Sequence, residues 1–204
     1  TGSDDGLINV SKDGGKNWEN VTPKDAPKFT MWNCIDVDPF KKGAAYIVGT
    51  RYKLDDYTPY IYKTEDYGKT WKLITNGINK MHFTRAMRAD HKRPGLLYAG
   101  TEFGMYVSFD DGANWKSFQL NMPVVPITDM TIKENDLIIT TQGRSIYILD
   151  DLSVVQQTKS EVANKNLHVF DANPSWRMQS NPFARFFGAA RNAGANPPSG
   201  AVIN

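Results

Sequence analysis

Among 204 residues the chain has one cysteine, Cys34, three histidines, and no apolar run near the roughly 18 residues of a membrane-spanning helix. A single cysteine excludes an internal disulfide framework. His82, His91 and His168 stand far apart with no second cysteine beside them, so no metal site and no cofactor is expected. Charge of neither sign prevails: 24 Lys and Arg against 22 Asp and Glu leave a net +2. No basic patch therefore recommends nucleic acid as a partner. Also missing are a Gly-rich phosphate loop entering a helix, a serine nucleophile elbow and a Cys–His pair.

What the chain does have is a repeat. Ser11-Lys-Asp13-Gly-Gly15-Lys-Asn-Trp18, Thr64-Glu-Asp66-Tyr-Gly68-Lys-Thr-Trp71 and Ser108-Phe-Asp110-Asp-Gly112-Ala-Asn-Trp115 share one pattern, with their aspartates 53 and 44 residues apart. A spacing of about 40–45 residues is that of one four-stranded propeller blade, and the longer interval holds an insertion.

Each copy reads as a hairpin turn. An apolar alternating run enters it (Leu7–Val10, Tyr60–Lys63, Met105–Val107) and a strand led by tryptophan leaves it. The Ser or Thr hydroxyl and the Asp carboxylate accept backbone N–H groups within the turn, and the glycine supplies a positive φ without steric cost. The tryptophan is expected to cover the turn and bury its ring in the blade. The pattern resembles the Asp-box, or bacterial neuraminidase repeat, S-x-D-x-G-x-x-W, at every fixed position when Thr stands in for Ser. Local bonding accounts for Asp13, Asp66 and Asp110, which are read as structural. A calcium loop would need further oxygen ligands and a Glu at the twelfth position.

Around the turns the strands fall into blades at 1–22, 32–75, 84–119 and 127–152. In each blade, strands A to D follow one another, with the repeated turn between C and D. The fourth unit, Ile127–Ile132, Leu137–Thr141 and Ser145–Leu149, ends in Asp150-Asp151-Leu152 without the motif. The fold expected is all-β: a β-propeller of about three and a half four-stranded blades, with two, four, four and three strands in turn. A closed ring needs about 4–8 blades. The chain is therefore expected to be a piece of a larger propeller, completed by the rest of a parent protein; the alternatives are another chain that completes the ring, or an open stack whose exposed edges would be an aggregation hazard. Residues 153–195 read as a linker, with Ser153–Ala163 a short helix or plain linker and Leu167–Phe170 one possible strand. Pro197-Pro198-Ser-Gly200 ahead of Ala201–Ile203 reads as the start, at 196–204, of a further β domain.

A wider likeness is carried by Arg51–Tyr60, Tyr67–Gly77, Tyr98–Glu102, Val107–Trp115, Gly143–Asp151 and Asn196–Ile203. Together with the three turns, these segments resemble large bacterial propeller proteins of the neuraminidase-repeat, sortilin-like kind, usually catalogued as glycosyl hydrolases. The resemblance implies two propellers and a C-terminal β-sandwich, with this segment at the end of the second propeller. It also implies export from a bacterial cell and a surface that binds a glycan or a protein. Its alternative implication is a glycoside hydrolase of sialidase or xyloglucanase type, with catalytic residues partly outside this segment.

Successive strands alternate direction, so the repeated turns share one face and the B–C and D–A loops crowd the other, around the channel mouth. A ligand is expected at that mouth, where loops of several blades converge. The long B–C loop (51–59) offers Arg51, Tyr52 and Tyr57; a D–A connection offers His82 and Arg85; the other B–C loops offer Glu102 and Arg144. Cations, carboxylates and stacking rings in one place suit a sugar or a peptide. Glycoside hydrolysis would need two carboxylates about 5–10 Å apart. Asp55, Asp56 and Glu102 are the candidates, and a working acid among them would have a raised pKa. Arg85 and Arg88 flank an inner strand, where they either clamp an anionic group or pair with Asp90 or Glu102.

Overall fold

The computed structural model describes residues 1–159, 161–162, 165–172 and 174. It divides into two units, Thr1–Leu152 and Ser153–Asn204.

The first unit is four antiparallel sheets, each a meander in chain order. A two-stranded sheet, β1 (Asn9–Val10) and β2 (Glu19–Asn20), is extended by Gly2, which bridges to Ile8. Next come β3 (Met31–Val37), β4 (Ala45–Arg51), β5 (Asp56–Thr64) and β6 (Lys72–Leu73). The third sheet is β7 (Thr84–Ala89), β8 (Leu97–Thr101), β9 (Gly104–Ser108) and β10 (Lys116–Ser117). The last is β11 (Ile127–Lys133), β12 (Asp136–Thr141) and β13 (Ile146–Leu149). These are propeller blades, with β3, β7 and β11 as neighbouring inner strands: Asp36 on β3 accepts the Ala89 N–H of β7 at 2.8 Å, and Arg88 on β7 pairs with Asp129 on β11 at 2.9 Å.

The burial of each strand explains its composition. The middle strands are covered on both faces, so β8 (Leu-Tyr-Ala-Gly-Thr) and β9 (Gly-Met-Tyr-Val-Ser) are buried at every position and read as continuous runs. The outer strands β6 and β10 have two exposed residues each, too short to offer a long free edge. Tyr46, Val48, Ile61, Met87, Leu97, Ala99 and Trp115 form a core that passes from one blade into the next.

The repeated turns are closed by their own side chains. Ser11 Oγ accepts the Gly15 N–H at 2.7 Å, and Asp13 Oδ1 accepts the amides of Lys16 and Asn17 at 3.0 and 2.9 Å. In the second turn Thr64 Oγ1 accepts Gly68 N–H and Asp66 accepts Thr70 N–H, both at 2.9 Å. The third repeats this with Ser108 to Gly112 at 2.9 Å and Asp110 to Asn114 at 2.8 Å. The remaining carboxylate oxygen takes the side chain of Asn17, Thr70 or Asn114. These bonds, led by the Asn17 amide and the Thr70 hydroxyl respectively, hold Asp13 and Asp66 down at about 2.

The tryptophans reach further than their own turns. Trp71 donates through Nε1 to the Val21 carbonyl, and Trp115 to the Ile74 carbonyl, each at 2.6 Å. Val21 and Ile74 follow the outer strand of the preceding blade, so each ring clamps two blades together. The glycine of the turn makes room for the same residue. A Cβ on Gly68 would lie 2.7 Å from Val21, and one on Gly112 2.5 Å from Ile74, and both glycines have positive φ. Trp18 departs from the expected burial: it is 53% exposed and donates to Gly15 of its own turn. No neighbouring sheet covers that turn among the described residues.

In the second unit, α1 (Ser153–Gln157) forms the short helix, and Gln157 exchanges two hydrogen bonds with the Asp171 backbone, at 3.0 and 2.8 Å. The strand expected at Leu167–Phe170 does not form. Among the described residues its alternation has no partner sheet, and Leu167 and Val169 are exposed. The β domain expected at 196–204, and residues 175–195 of the expected linker, lie outside the described residues. Among the described residues no helix is long and apolar enough to cross a membrane.

Candidate functional site

The mouth face is shaped by one irregularity repeated in three blades. Each inner strand breaks register near its first residues: at Asn33 between Trp32 and Cys34, at Arg85 between Thr84 and Ala86, and at Thr128 between Ile127 and Asp129. A β-bulge re-aims the side chain it carries. Asn33, Arg85 and Thr128 all line one cleft of about 360 Å³ between the inner strands, together with Cys34, Arg88 and Asp129.

Arg85 also joins this cleft to a cluster of rings packed around the buried Phe83. Tyr52 stacks on Phe83 with centroids 5.0 Å apart and planes at 16°, Tyr57 tilts against Phe83 at 6.0 Å, and the Arg85 guanidinium lies 5.6 and 5.2 Å from the Tyr52 and Phe83 rings. Beside them His82 packs on Phe103 at 4.7 Å, and its Nδ1 meets the Tyr106 hydroxyl at 2.9 Å. Burial lowers the His82 pKa by disfavouring the charged ring. Local turns hold these groups in place. Asn79 Oδ1 accepts the Met81 N–H and the Asn79 carbonyl accepts the His82 N–H, both at 2.9 Å. Residues Tyr52–Leu54 form one 3-10 turn, closed by Asp55 in the left-handed region at φ 58.

That turn shortens the B–C loop expected at 51–59, because β5 resumes at Asp56, opposite Arg51. Asp56 Oδ2 takes the Arg51 guanidinium at 2.5 Å and the Tyr60 hydroxyl at 2.8 Å, while Oδ1 takes the Thr58 N–H at 3.1 Å. Burial pushes the Asp56 carboxyl up, but Tyr60, Thr58 and Arg51 outweigh it, and its pKa is lowered. Glu102 is held by Arg85 Nε at 2.6 Å. The Asp55 carboxylate is exposed. Of the two pairings open to the arginines, Arg85 makes the one with Glu102, while Arg88 pairs with Asp129 and also donates to Cys34 Sγ at 2.8 Å. Cys34 is thus half-buried in the cleft wall.

The structure therefore gathers Arg51, Tyr52, Asp56 and Tyr57 with His82, Arg85 and Glu102 on one face. Arg144 stands apart, exposed in the β12–β13 turn and without an ion pair among the described residues. Among the described residues, the carboxyl whose pKa is raised is Asp36, where burial outweighs the Ala89 amide and Arg88. It sits near the far end of β3 and bonds the backbone of the next blade. Asp129 and Phe103 were not singled out by the sequence. The bulge that brings Asp129 beside Arg88 leaves no local signature, whereas Phe103 lies in a B–C turn already marked for the mouth.

No family model matches the sequence, and no curated protein matches it. Solved structures do. YCF48 bound to D1 peptide aligns with a TM-score of 0.55 at 18% identity, over 73% of this chain and 46% of that one. The extracellular domain of a proposed one-component system from B. thetaiotaomicron aligns with a TM-score of 0.50 at 15% identity, over 72% and 19%. The Niastella koreensis GH74 enzyme aligns with a TM-score of 0.46 at 15% identity, over 59% and 21%. The chain thus spans about half the length of the first and about a fifth of the other two. The first of these likenesses, with the four antiparallel sheets, establishes the propeller fold.

Proposed function

We propose that this chain is a segment of a larger exported bacterial propeller of the Asp-box, sortilin-like kind, acting as a recognition module that holds a protein or a glycan at its mouth face. The remaining blades come from the rest of the parent protein or from another chain, and residues 153–195 link the propeller to a β-sandwich. The observation that carries the reading is the partly exposed Tyr52 and Arg85 packed together over the buried Phe83 ring, so that side chains of two blades meet in a preformed arrangement on one face. Such convergent rings and few fixed polar groups are what ligand sites use. Fold relatives accord with it: one holds a bound peptide, and another is an extracellular domain.

The runner-up is a glycoside hydrolase with catalytic residues partly outside this segment. It would need a carboxyl kept protonated for acid work at the mouth. Asp56 is shifted the wrong way, and both Asp56 and Glu102 are held in ion pairs with an arginine. The test probes the intact chain against a glycan array and a peptide display library, and incubates it with xyloglucan and with sialyllactose. Binding that weakens about tenfold in Arg85→Ala and Tyr52→Ala, without release of reducing sugar or sialic acid, is the expected result. Turnover abolished by Glu102→Gln would establish the hydrolase instead, and binding on neither array would overturn the recognition reading.

A further inference from the structure

We propose that the outer edge of β13 is a self-association site, where a second copy of this chain adds its own β13 across a two-fold axis and joins two three-stranded sheets into one of six. The site lies at the rim of its blade and does not depend on what the mouth face holds.

In the second and third blades the strand that follows the B–C loop is closed on its outer side by a fourth strand, β5 by β6 and β9 by β10. The last blade stops at three, in the order β11-β12-β13, and among the described residues no strand pairs with the far side of β13. Alternation fixes which groups that side leaves open. The Ser145 carbonyl accepts the Thr141 N–H, so Ser145, Tyr147 and Leu149 turn their backbone groups toward β12, while Ile146 and Ile148 turn theirs outward. Native edges of this kind are blunted by lysine, proline or a bulge. Ile146-Tyr147-Ile148-Leu149 has none of the three, and Ile146 and Ile148 are 58% and 57% exposed.

The segment is complementary to itself when reversed. A two-fold axis through Tyr147 sets Ile146 opposite the partner's Ile148 in antiparallel register, and each such pair exchanges two hydrogen bonds through its outward N–H and C=O groups. The isoleucines of both copies then share one face. At the ends, Arg144, in the turn that opens the strand, comes alongside the partner's Asp150, which closes it. Both are exposed, and neither side chain has a partner within the chain among the described residues. An axis between two residues would oppose an outward residue to an inward one. An axis through Ile148 would set Ile146 against the partner's Asp150, and one through Ile146 would set Arg144 against the partner's Ile148. The Tyr147 register alone matches apolar with apolar and cation with carboxylate. Any strand can add to an open backbone edge. A second copy also brings the apolar centre and, at each end, the charge that the first one lacks.

Sedimentation velocity on the intact chain, over concentrations of about 1–300 µM, tests the site; so short an edge belongs with weak interfaces, and the dissociation constant expected is on the order of 10–100 µM. Arg144→Asp and Asp150→Arg each turn two attractive pairs into repulsive ones and should weaken the dimer about tenfold. Mixed in equal amounts, the two variants regain opposite charges at both ends and should associate as tightly as the parent chain, which damage to the fold would not allow. Hydrogen exchange at the Ile146 and Ile148 amides should slow as the parent chain is concentrated, and that at Tyr147, already bonded to β12, should not change. A chain that stays monomeric at every concentration overturns the proposal and leaves the edge to a strand from elsewhere in the parent protein. Dimers that keep parental affinity in both single variants overturn it too, as does a mixture of the two that stays apart.

Discussion

Three copies of one turn carry three tryptophans, and the clamp geometry predicts that removing them has very unequal effects. Trp115 is 3% exposed and bonds the Ile74 carbonyl of the preceding blade at 2.6 Å. Trp115→Ala loses that burial and strands the carbonyl, so the cost should reach about 3–5 kcal/mol, the range for large buried aromatics. Trp71 makes the same bond to Val21 but is only half-buried, which places Trp71→Ala near the bottom of that range. Trp18 is 53% exposed and bonded within its own turn, so Trp18→Ala should cost about 1 kcal/mol or less. Urea unfolding followed by far-ultraviolet circular dichroism resolves these values. With a slope of about 2 kcal/mol/M, Trp115→Ala should lower the midpoint by about 2 M and Trp18→Ala by under 0.5 M. Trp115→Phe isolates the N–H and should cost about 1–3 kcal/mol. Equal shifts for the three alanine variants would refute the clamp and leave the tryptophans as covers of their own turns.

Gly112→Ala should destabilise by more than about 1 kcal/mol, because its φ of 82° disfavours any side chain and the new Cβ would press on Ile74; a matched unfolding curve checks it. Asp13 and Asp66 are held at about 2, below the roughly 3.9 of an unfolded chain, so folding keeps them deprotonated. Their contribution is complete above about pH 4 and is lost as pH falls through about 2. The urea midpoint measured from pH 5 to pH 2 should therefore decline, and decline less in the Asp13→Asn, Asp66→Asn double variant. Asp56→Asn should cost about 1–3 kcal/mol by weakening three bonds at once, and limited proteolysis should then cut the 51–56 segment faster.

What the sequence made legible was local. The turn bonds of Ser11, Asp13 and Gly15 lie within a few residues of each other, so the pattern alone anticipates them, and blade length follows from the spacing of the turns. The strands come out as two, four, four and three because alternation between such turns leaves little choice. Contacts between blades were another matter. Nothing near Trp71 tells that its ring answers Val21, fifty residues earlier. Leu167–Phe170 shows the limit from the other side: with no neighbouring sheet among the described residues, its alternation stays unpaired. At the mouth, strand alternation placed Arg51, Tyr52, Arg85 and Glu102 on one face. Which arginine faces which acid depended on bulges one residue wide, and the left-handed backbone of Phe29, at φ 61, has no sequence signal at all, since glycine or asparagine is the usual occupant of that conformation.

The two tryptophan links between blades, from Trp71 and Trp115, both point backwards along the chain, from a turn to the blade before it. Such an array has a sense of direction, like overlapping roof tiles, in which each unit leans on its predecessor and supports its successor. Neighbours are therefore never interchangeable. A blade excised from the middle would orphan the tryptophan that follows it and uncover the apolar residue that precedes it, two unlike wounds. Any joint of the same kind between separate molecules would have to run head to tail, because two faces that both reach, or two that both receive, have nothing to offer each other.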